Sequence, residues 1–318
     1  NSMIVHATAT NPLGPFTVRS TVLKPFHHNV GAVHVTEKGE WVIYSTGCEV
    51  WPDTLANCSA GLARAGNSTS PPADVRPPMP PGCTGMAPGF PPWFPYSHTH
   101  LALDGRIRVS KSTTGPDGPF VDAHLPVLEP QYSQWDPFVT NPSALRLENG
   151  SVALVYRGLN DSGSDSIGMA LSSTGGLDGP FTRVSKTKPL FWDHAEDAFV
   201  YKGRRGFHMV MHHLPPTGQR PASFSFDPEI WSCGYACIGH AYAEDISGPW
   251  HYSPVPAASN VVKFADGSTA VMTRRERPQV LTDEKGDVLV LYTGVEDPSR
   301  SDGRPDLSYT LAAATTAL

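Results

Sequence analysis

Four short stretches of this chain set charged, amide or imidazole side chains just ahead of apolar alternating runs. They are His27-His28-Asn29, Gln134-Trp135-Asp136 with Asn141-Pro142-Ser143, Trp192-Asp193-His194-Ala195-Glu196-Asp197, and Arg274-Arg275-Glu276-Arg277-Pro278. Acids beside aromatic rings suit the cleavage of a glycosidic bond. One carboxyl protonates the leaving oxygen, a second activates water or attacks, and ring faces hold the sugar. The candidate catalytic residues are therefore Asp136, Asp197, Glu276 and Glu196. The candidate substrate-binding residues are His28, Asn29, Trp135, Trp192, His194, Arg275 and Arg277, with the two tryptophans as sugar platforms. Each has a plainer reading: Glu276 between arginines as an ion-pair lock, Asp136 before Pro137 as a turn cap. A strand histidine is usually packed or hydrogen-bonded.

These acids lie far apart in the chain, so something must gather them. One tripeptide recurs: Gly14-Pro15-Phe16, Gly118-Pro119-Phe120, Gly179-Pro180-Phe181 and Gly248-Pro249-Trp250. Each follows a short alternating run, such as Ile167-Gly168-Met169-Ala170-Leu171-Ser172. Between the copies lie paired apolar runs joined by a glycine turn, as in Ala144 to Leu147, Gly150, and Val152 to Tyr156. The unit is thus about four short strands in roughly sixty residues, once a Pro- and Cys-rich insert at about 49–95 is set aside. No stretch shows a sustained helical period. This pattern predicts an all-β fold: a five-bladed β-propeller whose blades hold about four antiparallel strands. Four inner hairpins are read, plus an additional hairpin at Val261 to Met272, and N-terminal strands are expected to close the last blade, which hides the free sheet edges. In such a fold the polar residues before each innermost strand meet at the channel mouth. The whole of 1–318 is read as one domain carrying the insert.

The Gly-Pro-Phe repeat, Glu196-Asp197-Ala198-Phe199 and Arg275-Glu276-Arg277-Pro278 together resemble the five-bladed propeller glycoside hydrolases of the family 43-like type, related in fold to the invertase-type family 32. The resemblance implies an Asp base, an orienting Asp and a Glu acid. It places Asp197 as the orienting residue, Glu276 as the acid with Glu196 as its rival, and Asp136 as the base. It also implies a poly- or oligosaccharide substrate of plant or algal type. The first blade departs from the family, because Asn29 stands where an Asp is expected and an amide cannot take a proton. A non-catalytic carbohydrate-binding or scaffold propeller is the alternative that this departure raises. No cofactor is required and no metal ligand set is assigned, although histidines at three strand starts leave room for Ca2+ or another cation in the channel.

Composition bounds the remainder. The chain has 318 residues and a formal net charge of −6, without the basic face that nucleic acid needs. It has no apolar run of the length that spans a bilayer. Charged residues are 17% of the chain, and Gly 29 with Pro 32 argues for turns over long helices. The five cysteines, Cys48, Cys58, Cys83, Cys233 and Cys237, lack paired zinc-type spacing and fit disulfides in irregular loops, with one left over. Four N-x-S/T sequons, at Asn57, Asn67, Asn149 and Asn160, and an opening Asn1-Ser2-Met3 typical of a processed product add to an expected secreted, monomeric glycoprotein.

Overall fold

The computed structural model describes residues 3–23, 27–36, 38–47, 106–122, 127–131, 134–159, 165–173, 176–191, 195–214, 233–297 and 308–315. The 49–95 insert lies outside them. Among the described residues every element is a β-strand except one short 3-10 turn, Gly234–Ala236.

Three antiparallel sheets have four strands each. Sheet I holds β3 (His27–Val35), β4 (Trp41–Gly47), β5 (Ile107–Ser112) and β6 (Val121–Asp122). Sheet II holds β7 (Phe138–Arg146), β8 (Val152–Leu159), β9 (Asp165–Ser172) and β10 (Phe181–Arg183). Sheet III holds β11 (Ala195–Gly203), β12 (Gly206–His213), β13 (Ile238–Ala243) and β14 (His251–Tyr252). Sheet IV has three described strands, β17 (Arg274–Thr282), β18 (Val288–Glu296) and β19 (Ser308–Ala314). In each, chain order equals spatial order, the up-and-down meander that the repeat predicted. The first strands pack side by side in the order β3, β7, β11 and β17. Gln279 Nε2 donates to the Val30 carbonyl at 3.3 Å, which joins β17 to β3.

Strand β8 shows why such sheets stack face to face. Side chains alternate across a strand, so Val152, Leu154 and Tyr156 enter the core shared with Val42, Tyr44, Ile107 and Val109 of sheet I. Ala153 and Val155 enter the other core, with Met209 and Met211 of sheet III. Both faces are buried, and the run is accordingly apolar without a break.

The repeated tripeptide forms one turn four times. Gly14, Gly118, Gly179 and Gly248 have φ of 87°, 81°, 86° and 96°, and each precedes a cis proline. Their N–H groups donate to Asn11, Gly115, Gly176 and Asp245, three residues back. The positive φ explains the glycine. The aromatic residue that follows locks one sheet onto the next: Phe181 of sheet II meets Tyr44 of sheet I edge-on at 6.4 Å.

The Val261 to Met272 hairpin, β15 (Val261–Lys263) with β16 (Thr269–Val271), is a separate two-stranded sheet and supplies no innermost strand. Its strands are three residues long and leave Val261 and Val271 more than half exposed, too little to form a blade centre. The N-terminal strands β1 (Ile4–Thr8) and β2 (Thr17–Leu23) pair only with each other among the described residues. They dock on sheet IV through Phe16 edge-on to Tyr292 at 6.3 Å and the Tyr292 hydroxyl donating to Pro12 at 2.7 Å.

Candidate active site

Each innermost strand interrupts its ladder once. The pairing of β7 with β8 jumps from Thr140 to Ser143, that of β11 with β12 from Glu196 to Phe199, and that of β17 with β18 from Glu276 to Gln279. The pairing of β3 with β4 jumps from His28 to Ala32. A β-bulge of this kind sets extra residues against one partner and re-aims a side chain. The first bulged residue is left-handed in three strands: Asn141 at φ 49°, Asp197 at 53° and Arg277 at 53°. Such backbone costs about 1–3 kcal/mol per residue and gathers at functional sites.

The bulges converge on one cavity of about 170 Å³, lined by Gly31, Asn141, Asp197, Phe199 and Arg277 among others. Gly31 marks how closely the strands meet there. A Cβ on it would lie 1.1 Å from the Pro142 carbonyl oxygen.

Beside this cavity lies a charged network drawn from five strands. Glu196 of β11 accepts from Arg157 Nη1 of β8 at 3.0 Å and contacts His212 Nδ1 of β12 at 3.2 Å. Arg157 also pairs with Asp165 of β9. Glu276 of β17 lies 3.9 Å from Arg277. Ligand atoms of Glu196, His212 and Glu276 all fall within 4.8 Å of one another. Carboxylates from two sheets therefore approach one another here. The three are close enough to share a cation, yet Arg157 and Arg277 already stand beside both carboxylates and balance their charge.

The environment splits two adjacent acids. Burial pushes the Asp197 carboxyl above its ordinary range, Arg277 opposes this, and the Glu196 charge adds to the rise. Burial also disfavours charge on Glu196, but the His212 hydrogen bond and Arg157 outweigh it and hold its carboxyl well below the usual range. Asp197 Oδ1 accepts a hydrogen bond from Asn141 Nδ2.

Other expected residues stand elsewhere. Asp136 is fully buried between sheets I and II, accepting from Arg183 Nε at 2.7 Å and the Tyr156 hydroxyl at 2.9 Å. Burial raises its carboxyl, with Arg183 opposing, but it does not line the cavity. Trp135 is buried and stacked on Tyr156 at 5.9 Å, a core ring and no sugar platform. Arg275 is buried, its guanidinium donating to the Ser259 carbonyl at 2.6 Å and to Thr293 at 3.3 Å. Burial lowers it to about 10. Arg277 is the arginine that reaches the cavity. His28 and Asn29 belong to the bulged part of β3, and Trp192 and His194 lie outside the described residues.

Three members of the network, Asn141, Arg157 and His212, were not chosen from sequence. Proline inside a central strand is a signal for the first: Asn141-Pro142 and Arg277-Pro278 sit where a ladder donor is missing, which marks a bulge. Arg157 and His212 sit on second strands and carry no such mark.

The fold is shared with solved carbohydrate-active enzymes. A β-xylosidase, RS223, aligns with a TM-score of 0.50 at 11% identity over 92% of this chain and 75% of its own. An α-L-arabinofuranosidase from Lactobacillus brevis aligns with a TM-score of 0.50 at 12% identity over 94% and 78%. So does a member of the GH130 family of mannoside phosphorylases and hydrolases, studied for β-1,2 mannosidic linkages in Candida mannan, at TM-score 0.50 and 12% identity over 91% and 66%. No protein-family model and no curated protein matches the sequence.

Proposed function

We propose that this chain is a glycoside hydrolase of the family 43-like propeller type, cleaving a poly- or oligosaccharide at the channel mouth. The carrying observation is the pair of oppositely shifted acids, Asp197 and Glu196, on one bulge beside Glu276 of the next sheet. Environments that push carboxyls apart separate proton donor from anion. Carboxylate oxygens of Glu196 and Glu276 approach within 4.8 Å of one another. They therefore act as one negative locus, and the proton donor is Asp197. Glu276, the more accessible of the two, is the group that attacks or activates water, while ion-paired Glu196 stabilises positive charge developing on the sugar ring. The fold shared with a xylosidase and an arabinofuranosidase supports this class by analogy.

The test is a panel of 4-nitrophenyl β-D-xylopyranoside, α-L-arabinofuranoside and β-D-mannopyranoside, with plant and algal oligosaccharides. Wild type should release sugar from a member. Asp197→Asn and Glu276→Gln should each lower kcat about a hundred- to ten-thousandfold while calorimetry still registers binding of that sugar. A wild-type chain that binds without release leaves the binding-module reading in its place.

The same reading takes β1–β2 as the outer pair of a fifth blade. Support comes from Phe16, which meets Tyr292 of β18 as Phe181 of β10 meets Tyr44 of β4. It also takes the protein as a secreted monomer with no required cofactor. The Cys233–Cys237 disulfide supports an oxidising compartment.

A further inference from the structure

Two buried hydroxyls behind the cavity have no part in the chemistry above. Thr46 of β4 and Thr140 of β7 are 0% and 2% exposed, and their Oγ1 atoms lie 3.0 Å apart across the seam between sheets I and II. Thr140 Oγ1 donates to Asn141 Oδ1 at 2.8 Å. Since that hydroxyl hydrogen is spent on the amide oxygen, Thr46 is the donor in the threonine pair. An asparagine amide has one acceptor end and one donor end. With Oδ1 claimed by Thr140, the Nδ2 end faces Asp197, where it donates to Oδ1.

We propose that the Thr46–Thr140 hydroxyl pair is a positioning device: through the Asn141 amide it makes Asp197 Oδ1 a fixed acceptor and so assigns the transferable proton to Oδ2. This deepens the proton-donor role given to Asp197 and rests on that reading. A turned amide would instead offer its oxygen to the carboxyl as an acceptor and hold the proton on Oδ1, away from the substrate. The other charged or titratable groups around Asp197 are Arg277 of β17, Glu196 of its own strand, His212 of β12 and Arg157 of β8. Thr140→Val removes a hydroxyl and no charge.

The decisive variants are Thr140→Val, which keeps shape but loses the hydroxyl, and Thr140→Ser, which keeps it. Asn141→Gly is a third, since glycine accepts the left-handed backbone there. Carbon-13 carboxyl NMR, with Asp197→Asn to assign the resonance, reads the Asp197 titration without any substrate. In Thr140→Val and Asn141→Gly the midpoint should rise by about half a unit or more, because a donor to the charged form is lost. On the aryl glycoside that wild type cleaves, Thr140→Val should lose about tenfold in kcat with KM nearly unchanged. Thr140→Ser should restore both readouts. A Thr140→Val protein that titrates and turns over like wild type overturns the proposal, as does failure of Thr140→Ser to rescue. Absence of turnover in wild type sinks the hydrolase reading alone, and the NMR midpoints still decide the role of the threonines.

Discussion

Asp197 and Glu196 are chain neighbours with opposite ionisation, and the bulge is the reason. It turns Asp197 into the cavity, against Asn141, and leaves Glu196 on Arg157 and His212. Linkage converts this into a pH dependence. A folded carboxyl raised above its ordinary 3.8 confers stability only while protonated, and loses it as pH climbs from that value towards the folded one. A folded carboxyl held below its ordinary 4.5 contributes above that pH and loses its contribution as pH falls towards the folded value. Asp197→Asn should therefore raise Tm at pH 7 while removing turnover, and Glu196→Gln should lower Tm at pH 7 and flatten the acid side of the Tm profile. Thermal scans across pH 3 to 8 on wild type and both variants check the signs. A lower Tm for Asp197→Asn at pH 7 contradicts the raised carboxyl. Only the candidacy of these residues was legible in sequence. Their roles were not, because a shift arises from neighbours on β8, β12 and β17 that no local motif names.

At the scale of elements, the innermost strand is a bulged device. Apolar runs marked β7, β8, β11, β12, β17 and β18 correctly, and β8, buried on both faces, reads as an unbroken one. They could not show the left-handed residue two or three places inside β7, β11 and β17. Polar residues ahead of the apolar run looked like loop, whereas β7 begins at Phe138 and β17 at Arg274 and carry those residues within the ladder. The bulges also force β3 onto β7. Gly31→Ala would drive a methyl into the Pro142 carbonyl, and backbone cannot move aside as a side-chain tip does. We expect a loss of about 3 kcal/mol or more, or failure to fold, read as a fall in the urea midpoint. A midpoint within error of wild type would mean that β3 and β7 stand further apart.

At the scale of the molecule, the seams between sheets carry the stability. Surface ion pairs cross them, Lys111 with Asp178, Lys202 with Glu148 and Arg204 with Asp287, but exposed pairs of this kind contribute little. The buried seam is different. Asp136, Arg183, Tyr156 and Trp135 form one packed unit between sheets I and II. Asp136→Ala strands a guanidinium that is 8% exposed, at a cost of about 3–5 kcal/mol. Tm should fall by roughly ten degrees, with kcat per folded molecule unchanged. A selective loss of kcat at unchanged Tm would return Asp136 to the chemistry. Sequence placed Asp136 beside aromatic residues, a pattern common to a sugar site and to a core ion pair. Solvent access separates the two, and it is a property of the assembled sheets.

What the sequence determined by itself is the repeating module: glycines that turn, prolines that follow them, and alternating runs that meander. These are local demands of φ, ladder donors and side-chain alternation, and they act within a few residues. The tertiary structure alone decided which polar groups face the axis. Asp197, Asn141 and Arg277 line one cavity because bulges on separate strands aim at it, with Glu276 beside Arg277, while Asp136, Trp135 and Arg275 were drawn into the seams. Charge, burial and reach at such a site depend on distances between strands remote in the chain, and those distances exist only once the sheets have packed.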